Sequence, residues 1–345
     1  MRERLSNVVA CTFTVIASVC IGLHAQTATV APGAPGSPTT SAVRRIPPPL
    51  QKKQQRGTRE EQDHWSTARS DLPEKMRMAS FESDAAKQFV NYLVYLPPSA
   101  EKNPKMRYPV IYLLPSLSGD CREVGPIVHR FDAAIRENQC PPVILVGVQG
   151  VYGSFYTDAK DGGRPIETVI VQELIARIDN TFPTIPDREH RALEGFSMGG
   201  FGAAHLAFKY PELFGVVSII SPLAGPLPFF RADFPSFAED VWNNDQAYFD
   251  ENDPFLLAGK NAEKIRGKMQ IRIYGGADDR FLVFAQDLHA RLDELKIPHE
   301  FRVAPGVKHN LSGVVDNLRE PFFALWQRAF PKYVPPVEPP AATAP

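Results

Sequence analysis

A serine flanked by glycines is the residue of this chain best suited to act as a nucleophile. Residues 195–199 read G-F-S-M-G, the pattern G-x-S-x-G, with a short strand pattern before them at 191–194 and a helical pattern after them at 201–208. In that context the pattern is typical of a sharp turn that exposes the serine hydroxyl above a parallel sheet, and glycines relieve the strain of such a turn. We therefore predict Ser197 as a nucleophile, with an ordinary glycine-rich turn as the alternative.

The serine needs a partner, because a hydroxyl is a poor nucleophile until a base takes its proton. Where this turn is used, an acidic residue follows a later strand and a histidine comes last. Asp278 and Asp279 follow the predicted strand 269–274. We favour Asp279 as the acid because its spacing from Gly276 is G-x-x-D, and we keep Asp278 as the reserve. The carboxylate that is not used would cap the helix predicted from near residue 281.

The histidine expected to complete the site is His309, on a loop just past the last predicted strand, 300–304. His289 lies within a predicted helix, where it is expected to pack or to face solvent, and His299 precedes a strand. The other histidines are expected in the core or at the surface: His64, His129, His190 and His205. No cluster of residues has metal-ligand spacing, so no metal site is expected.

An oxyanion at the reacting carbonyl needs two backbone N–H donors. The first is expected from Met198, the residue after the nucleophile. The second is expected from residues 114–120, the loop after the third predicted strand. Pro115 has no N–H, so Leu117 is the favoured donor and Ser116 the second choice.

Eight strands are predicted to position these residues, because apolar runs bounded by turn residues recur along the chain. They lie at 76–82, 88–96, 108–114, 143–148, 191–196, 216–221, 269–274 and 300–304. Helical patterns occur at 127–136, 165–178, 197–210, 282–295 and 314–330. A hairpin followed by alternating strands and helices predicts a mostly parallel sheet covered on both faces. With the nucleophile turn after the fifth strand, this order indicates an α/β-hydrolase fold, with its site at the carboxyl ends of the strands.

The amino-terminal residues have the pattern of a secretory signal. Arg2 and Arg4 precede a largely apolar, uncharged stretch that ends at the small residue Ala25. We expect residues 1–25 to be cleaved and the protein to be secreted or periplasmic, without stable membrane association. An uncleaved membrane anchor is the alternative.

The rest of the chain divides by composition. Residues 26–58 and 334–345 are rich in proline and are predicted to be a disordered linker and a disordered tail. Between them, residues 59–333 have the size of one α/β domain.

The overall composition is that of a globular protein: the 345 residues are 43% hydrophobic and 22% charged, with a formal net charge of −1. This balance provides no basic surface for nucleic acid, and it does not indicate an oligomeric state. Cys121 and Cys140 are the cysteines outside the signal. The helix predicted between them would hold them about 20 Å apart, beyond the limit of about 7 Å for the Cα atoms of a disulfide. Both are therefore expected as free thiols.

Several motifs within residues 88–330 resemble the Putative esterase family, which includes feruloyl and acetyl-xylan esterases, S-formylglutathione hydrolases, enterochelin esterase-like proteins and mycolyltransferase antigens. The matching segments are 94–98, 108–114, 172–175, 195–200 and 276–282. The resemblance implies a cofactor-free esterase with Ser197, Asp279 and His309 as its triad. It implies a small-molecule or carbohydrate ester as substrate, with acetyl or feruloyl esters favoured. An acyltransferase with the same triad and a non-catalytic binding protein are the alternatives.

Two positions depart from the family pattern. Pro115-Ser116 stand where many relatives have His-Gly, in the loop expected to supply an oxyanion donor. Glu194 stands where relatives often have a small residue. Its side chain is expected to point away from the face of Phe196, and nothing in the sequence explains a carboxylate there.

Two further segments are expected near the substrate. Residues 153–158 resemble the family's pocket-lining loop, so Tyr156 and Asp158 are candidate substrate contacts; the alternative is that they order the loop. Residues 222–257, between the sixth and seventh predicted strands, are rich in aromatic side chains. Such an insertion is expected to form a small cap over the pocket, with most of its aromatic residues in the cap's own core.

Overall fold

The computed structural model describes residues 44–48, 64–65, 72, 75–103 and 105–331. The expected signal and the expected tail lie outside the described residues, as does most of the predicted linker. Within the described part of the chain, no helix combines the length and the apolar character needed to cross a membrane.

Eight strands among the described residues form one sheet in the order β1-β2-β4-β3-β5-β6-β7-β8. Their bounds are β1 (Met76–Ser83), β2 (Gln88–Tyr95), β3 (Val110–Leu114), β4 (Ile144–Val148), β5 (Arg191–Phe196), β6 (Val216–Ile220), β7 (Gln270–Gly276) and β8 (Glu300–Ala304). β2 pairs antiparallel with both β1 and β4, and the other neighbours are parallel. The predicted α/β-hydrolase fold is confirmed.

The central strands are buried on both faces, because successive side chains of a strand point to opposite sides of the sheet. In β3, Val110 and Tyr112 belong to one hydrophobic core, and Ile111 and Leu113 belong to a second core on the other face. All five residues of this strand are buried. Burial on both faces explains why the sequence of β3 is a continuous apolar run.

Helices cover both faces of the sheet and connect its strands. They are α1 (Pro98–Lys102), α2 (Gly125–Arg136), α3 (Ile166–Thr168), α4 (Ile175–Thr181), α5 (Met198–Lys209), α6 (Leu227–Asp233), α7 (Pro235–Trp242), α8 (Gln246–Asn252), α9 (Pro254–Lys260), α10 (Ala262–Ile265), α11 (Leu282–Glu294), α12 (Leu311–Asn317) and α13 (Arg319–Ala329). Short 3-10 segments lie at Cys121–Val124 and Arg188–His190, and a π-helical segment, Val169–Leu174, joins α3 to α4.

The predicted helix 314–330 is instead two helices, α12 and α13, separated at Leu318. Pro321 explains the break, because a proline within a helix lacks an N–H donor and its ring clashes with the carbonyl four residues earlier, here that of Asn317. Restarting the helix at Arg319 places the proline in the first turn, where it is tolerated.

The helices α6 to α10 lie between β6 and β7, where the sequence predicts a cap. The ring of Phe230 contacts the rings of Phe229, Phe234, Trp242 and Phe249. All five side chains are buried. These aromatic residues therefore form a core within the cap instead of lining an open surface.

Cys121 and Cys140 are buried free thiols, as predicted. Burial raises the pKa of Cys121 to about 12 and also raises the pKa of Cys140. Because the thiolate is the reactive form of cysteine, neither side chain is an activated nucleophile.

Candidate active site

Ser197 occupies a strained turn between β5 and α5. Its backbone has φ 61° and ψ −117°, an unusual conformation for a residue other than glycine. Its N–H donates to the carbonyl of Ile220 at 3.0 Å, and its carbonyl accepts from the N–H of Leu223 at 3.0 Å. The end of β6 and the chain beyond it therefore hold the serine in the conformation of a nucleophile turn.

The glycines around the serine are required by close backbone contacts. A Cβ on Gly195 would lie 1.9 Å from the carbonyl oxygen of Gly199, and a Cβ on Gly199 would lie 2.0 Å from the carbonyl oxygen of Leu114. Both distances are far below van der Waals contact, and the atoms approached belong to the backbone. Larger residues at these positions would force β5, α5 and the loop after β3 apart.

The side chains of Ser197, His309 and Asp279 form one hydrogen-bonded chain. His309 Nε2 lies 2.9 Å from Ser197 Oγ, and His309 Nδ1 lies 2.8 Å from Asp279 Oδ2. The carboxylate only accepts, so a neutral imidazole carries its proton on Nδ1 and offers the Nε2 lone pair to the hydroxyl. This arrangement can take a proton from the serine and stabilise the resulting imidazolium.

The structure places Asp279, and not the exposed Asp278, beside His309. The Asp279 side chain is fully buried, and its second oxygen accepts from the N–H of Phe281 at 2.8 Å. The backbone of Asp278 instead links the loop after β7 to the loop after β8, because its N–H donates to the carbonyl of Val307 at 2.9 Å.

Two aromatic rings flank the imidazole of His309. Its centroid lies 4.6 Å from that of Phe196 and 5.0 Å from that of Phe281, with the second ring edge-on. Phe196 directly precedes Ser197, and Phe281 follows Asp279 by two positions. Sequence reasoning did not assign them a role, although their proximity to the triad residues in the chain is a signal that could have indicated one.

The first expected oxyanion donor, Met198, is the first residue of α5. The N–H groups of the first turn of a helix have no partner within the helix, so this N–H is available above the nucleophile turn. The helix dipole also favours negative charge at this end.

The two candidates for the second donor lie in the loop after β3, where the contacts of Glu123 distinguish them. Its carboxylate accepts from the Ser116 N–H at 3.1 Å and from the Ser116 hydroxyl at 2.7 Å. It also accepts from the hydroxyl of Ser118. Since the Ser116 N–H is already used, Leu117 is the better placed donor of the two. The glutamate thus supports the loop in which Pro115-Ser116 depart from the family pattern.

Tyr156 and Asp158 order the chain near this loop, which is the alternative interpretation of their role. The Tyr156 side chain is fully buried, and its hydroxyl donates to the Pro115 carbonyl at 2.7 Å. Burial raises the pKa of Tyr156 well above its usual value. Asp158 accepts from the N–H and the hydroxyl of Thr168 at 3.0 and 2.6 Å. Both side chains are therefore engaged within the protein, and neither needs a substrate to satisfy its hydrogen bonds.

Glu194 is explained by a buried ion pair beneath the nucleophile turn. Its carboxylate lies 2.9 Å from Arg272 on β7, and both side chains are almost completely buried. Arg272 also donates to the Ser218 hydroxyl at 2.8 Å and stacks over the ring of Phe322, 3.9 Å from its centroid. Burial raises the pKa of Glu194, against the lowering effect of the guanidinium.

The expected orientation of Glu194 was wrong. Glu194 and Phe196 line the same cleft, on one face of β5. Residues two apart in a strand point to the same side, so the Glu194 carboxylate and the Phe196 ring lie on the same side of the sheet. The charge is tolerated there because Arg272 on β7 reaches the Glu194 carboxylate on β5 across the intervening strand, β6.

A cleft of about 460 Å³ is lined by residues that adjoin Ser197 and His309 in the chain. Pro115 and Ser116 line it from the oxyanion loop, and Asn310 and Leu311 line it from the residues just after His309. Phe196 contributes a third wall. The walls of the cleft thus include Phe196 and Asn310, the chain neighbours of Ser197 and His309, but not the triad side chains themselves.

Comparisons with known proteins place this site in a family context. The model of the family described as Putative esterase matches residues 83–331. An endo-1,4-beta-xylanase/feruloyl esterase of Xylanibacter ruminicola is 29% identical over 155 residues, which are 42% of this chain and 21% of that protein. An S-formylglutathione hydrolase of Paracoccus denitrificans is 30% identical over 145 residues, 41% of this chain and 48% of the relative. The chain spans about half or less of the length of the curated relatives it matches.

Solved structures share the fold. A ferulic acid esterase superposes with a TM-score of 0.62 at 22% identity, covering 74% of this chain and 99% of that one. An S-formylglutathione hydrolase from Agrobacterium tumefaciens superposes with a TM-score of 0.56 at 20% identity, covering 72% of this chain and 94% of that one.

Proposed function

Because this chain belongs to the Putative esterase family, whose model matches residues 83–331, we propose that it is a carboxylic-ester hydrolase acting through Ser197, His309 and Asp279. The observation that carries the proposal is the hydrogen-bonded chain from Ser197 Oγ through both ring nitrogens of His309 to a buried carboxylate. The relatives named as esterases and hydrolases support the same reaction class.

The reaction follows from these positions. Ser197 Oγ attacks the ester carbonyl while His309 Nε2 takes the hydroxyl proton, and Asp279 stabilises the imidazolium. The N–H groups of Met198 and Leu117 donate to the oxyanion of the tetrahedral intermediate. The bond to the alcohol then breaks, and His309 gives the proton to the leaving oxygen. Water, deprotonated by the same histidine, cleaves the acyl-enzyme and releases the acid and the free serine.

The cleft lined by Phe196 and Asn310, which adjoin Ser197 and His309 in the chain, is the proposed site for one half of the ester. Its volume of about 460 Å³ is in the range of small-molecule sites. Its walls combine the apolar Phe196 and Pro115 with the polar Asn310 and the charged Arg122 and Glu123. This mixture suits an acetyl or feruloyl ester of a carbohydrate, and the name of the Xylanibacter ruminicola relative supports that class.

The proposed location is outside the cytoplasm, on the pattern of residues 1–25. Amino-terminal sequencing of the protein recovered from its native host tests this. We expect the mature chain to begin at Gln26. Recovery of a chain that retains Met1 would contradict cleavage and favour the membrane-anchor alternative.

The activity is tested by p-nitrophenolate release from p-nitrophenyl acetate, with wild type beside Ser197→Ala. We expect release by wild type and a loss of at least about 1000-fold in kcat for the variant, because no other group replaces the nucleophile. A fluorophosphonate probe should label wild type and not the variant. Two folded but equally inactive proteins would contradict the proposal. A polyol added to the assay separates hydrolysis from acyl transfer by the ratio of free acid to transferred ester.

A further inference from the structure

Two histidines and an aspartate lie together at the edge of the sheet opposite the candidate active site. His299 directly precedes β8, whereas His309 follows its carboxyl end. The five residues of β8 span about 16 Å. The other members of the cluster, His289 and Asp293, lie in the last two turns of α11. The cluster is therefore separate from the triad and takes no part in the reaction proposed above.

The ligand-type atoms of the three side chains converge. His289 Nδ1 lies 2.7 Å from His299 Nε2. Asp293 Oδ1 lies 3.9 Å from His299 Nε2, and Asp293 Oδ2 lies 3.5 Å from Nε2 of His289, the second nitrogen of that ring. One such atom from each residue can be chosen so that all lie within 4.8 Å of one another.

Each imidazole is held in place by a contact outside the cluster. His299 Nδ1 lies 2.8 Å from the Ile297 carbonyl, which can only accept, so Nδ1 carries a proton. In the neutral ring, Nε2 then presents its lone pair to the cluster, which is how a backbone carbonyl orients a metal-binding histidine. The ring of His289 stacks on that of Phe301, with centroids 4.4 Å apart and planes 7° apart. Neither ring has to be ordered when a ligand binds.

The residue spacing and exposure also suit a metal ion. His289 and Asp293 are four residues apart in α11, so they share one face of the helix. The His299 side chain is only 3% exposed, whereas those of His289 and Asp293 are 36% and 63% exposed. The site thus has one buried anchor and a mouth open to solvent, where water can complete the coordination.

We propose that His289, Asp293 and His299 bind a divalent transition-metal ion, for which Zn²⁺ is the probe. Two imidazole nitrogens and one carboxylate oxygen are a ligand set typical of zinc. Ligand atoms about 2.1 Å from a tetrahedral ion lie about 3.4 Å apart. The two nitrogens, now 2.7 Å apart, must therefore separate by about 0.7 Å, and the exposed carboxylate must move slightly inward. The ion would join the end of α11 to the start of β8.

The proposal is tested by calorimetric titration of Zn²⁺ into the chelator-treated full chain. We expect one equivalent bound with low micromolar affinity, and at least about tenfold weaker binding by His299→Gln and by His289→Gln. Zn²⁺ should also raise the melting temperature of wild type, since it binds only the folded chain. Co²⁺ in place of Zn²⁺ should give visible absorption bands that both variants lose.

A matched control is His190→Gln. His190 also contacts a carboxylate, with Nδ1 2.7 Å from Asp187, but it lies outside the cluster. This variant should bind Zn²⁺ as wild type does. The half-exposed His289 keeps the test valid if replacement of the buried His299 impairs folding. If the two rings only share a proton, wild type will not bind Zn²⁺, and that result would overturn the proposal. Equal affinity of wild type and His289→Gln for Zn²⁺ would overturn it as well.

Discussion

Glu123 accepts hydrogen bonds from both the N–H and the hydroxyl of Ser116. This contact fixes the loop after β3 in the conformation that leaves the N–H of Leu117 as the candidate oxyanion donor. The buried hydroxyl of Tyr156 supports the same loop from the other side through the Pro115 carbonyl. The carboxylate thus holds the loop of the candidate donor, and it also lines the cleft proposed for the substrate.

Glu123→Ala is expected to lower kcat on the order of tenfold with little change in KM. The effect should be smaller than the 100- to 1000-fold typical of removing an oxyanion donor outright, because the loop is displaced and not deleted. Steady-state kinetics with p-nitrophenyl acetate measures the split. Glu123→Gln should recover part of the rate, because the amide oxygen can still accept from Ser116. Glu101→Ala, at a glutamate 76% exposed, is the control. A change in KM alone would contradict a role in the transition state.

The neighbouring carboxylates Asp278 and Asp279 offer a matched pair of variants. Asp279→Asn should lower kcat by about 1000- to 10,000-fold, because the amide cannot hold the imidazole in the required tautomer or stabilise its charge. Asp278→Asn should stay close to wild type, because that side chain is exposed. The two kcat values under identical conditions decide the assignment. Comparable losses in both variants would show that the loop conformation, and not the acid, is what matters.

The buried Glu194–Arg272 pair is expected to contribute strongly to stability when one partner is removed. Glu194→Ala should cost about 3–5 kcal/mol in the free energy of unfolding, because it leaves a guanidinium buried without its counter-charge. The double variant with Arg272→Met should recover much of that loss. Urea denaturation of the single and double variants measures the coupling.

A surface ion pair provides the control for that experiment. Glu137 lies 2.9 Å from Arg319, but both side chains are 40% or more exposed. Glu137→Ala should therefore cost less than about 1 kcal/mol. If Glu194→Ala were equally mild, the buried pair would not be the reason for a carboxylate beneath the nucleophile turn.

Glu167 makes the stability of the fold sensitive to acid. Although burial opposes ionisation, His205 at 2.8 Å and Lys209 at 2.7 Å hold the pKa of Glu167 at about 2, below its ordinary value of 4.5. A pKa lowered in the folded state adds stability above pH 4.5, and that stability is lost as the pH falls from 4.5 towards 2. The shift corresponds to roughly 3 kcal/mol.

Glu167→Gln should therefore be less stable than wild type by about that amount at pH 6, with the difference closing as the pH falls towards 2. Urea denaturation at several pH values measures it. Glu212→Gln, at an exposed glutamate in the turn after α5, should follow wild type throughout. A difference between wild type and Glu167→Gln that is constant with pH would contradict the lowered pKa.

Features set by neighbouring residues could be predicted from the sequence alone. The turn at Ser197 depends on glycines within two positions of it, because their missing side chains allow backbone contacts that no partner elsewhere can replace. The eight strands were predictable for a similar reason: doubly covered strands need continuous apolar runs, and β3 and β4 have them. The chain order of these elements then indicated the α/β-hydrolase sheet. The break at Leu318, which Pro321 explains, was also local, but the apolar period of the two helices concealed it.

Only the tertiary structure decided which polar groups meet. Glu194 pairs with Arg272, 78 residues away, because β6 sets the register between β5 and β7. His299 meets His289 only because the turn after α11 folds back along the helix before β8 begins. Tyr156 was a candidate substrate contact by sequence, but the fold buries its hydroxyl against the Pro115 carbonyl. The sequence shows which charged groups and hydrogen-bond donors the chain contains. Burial and strand register decide which of these groups pair with each other, because a buried polar group without a partner is costly in free energy.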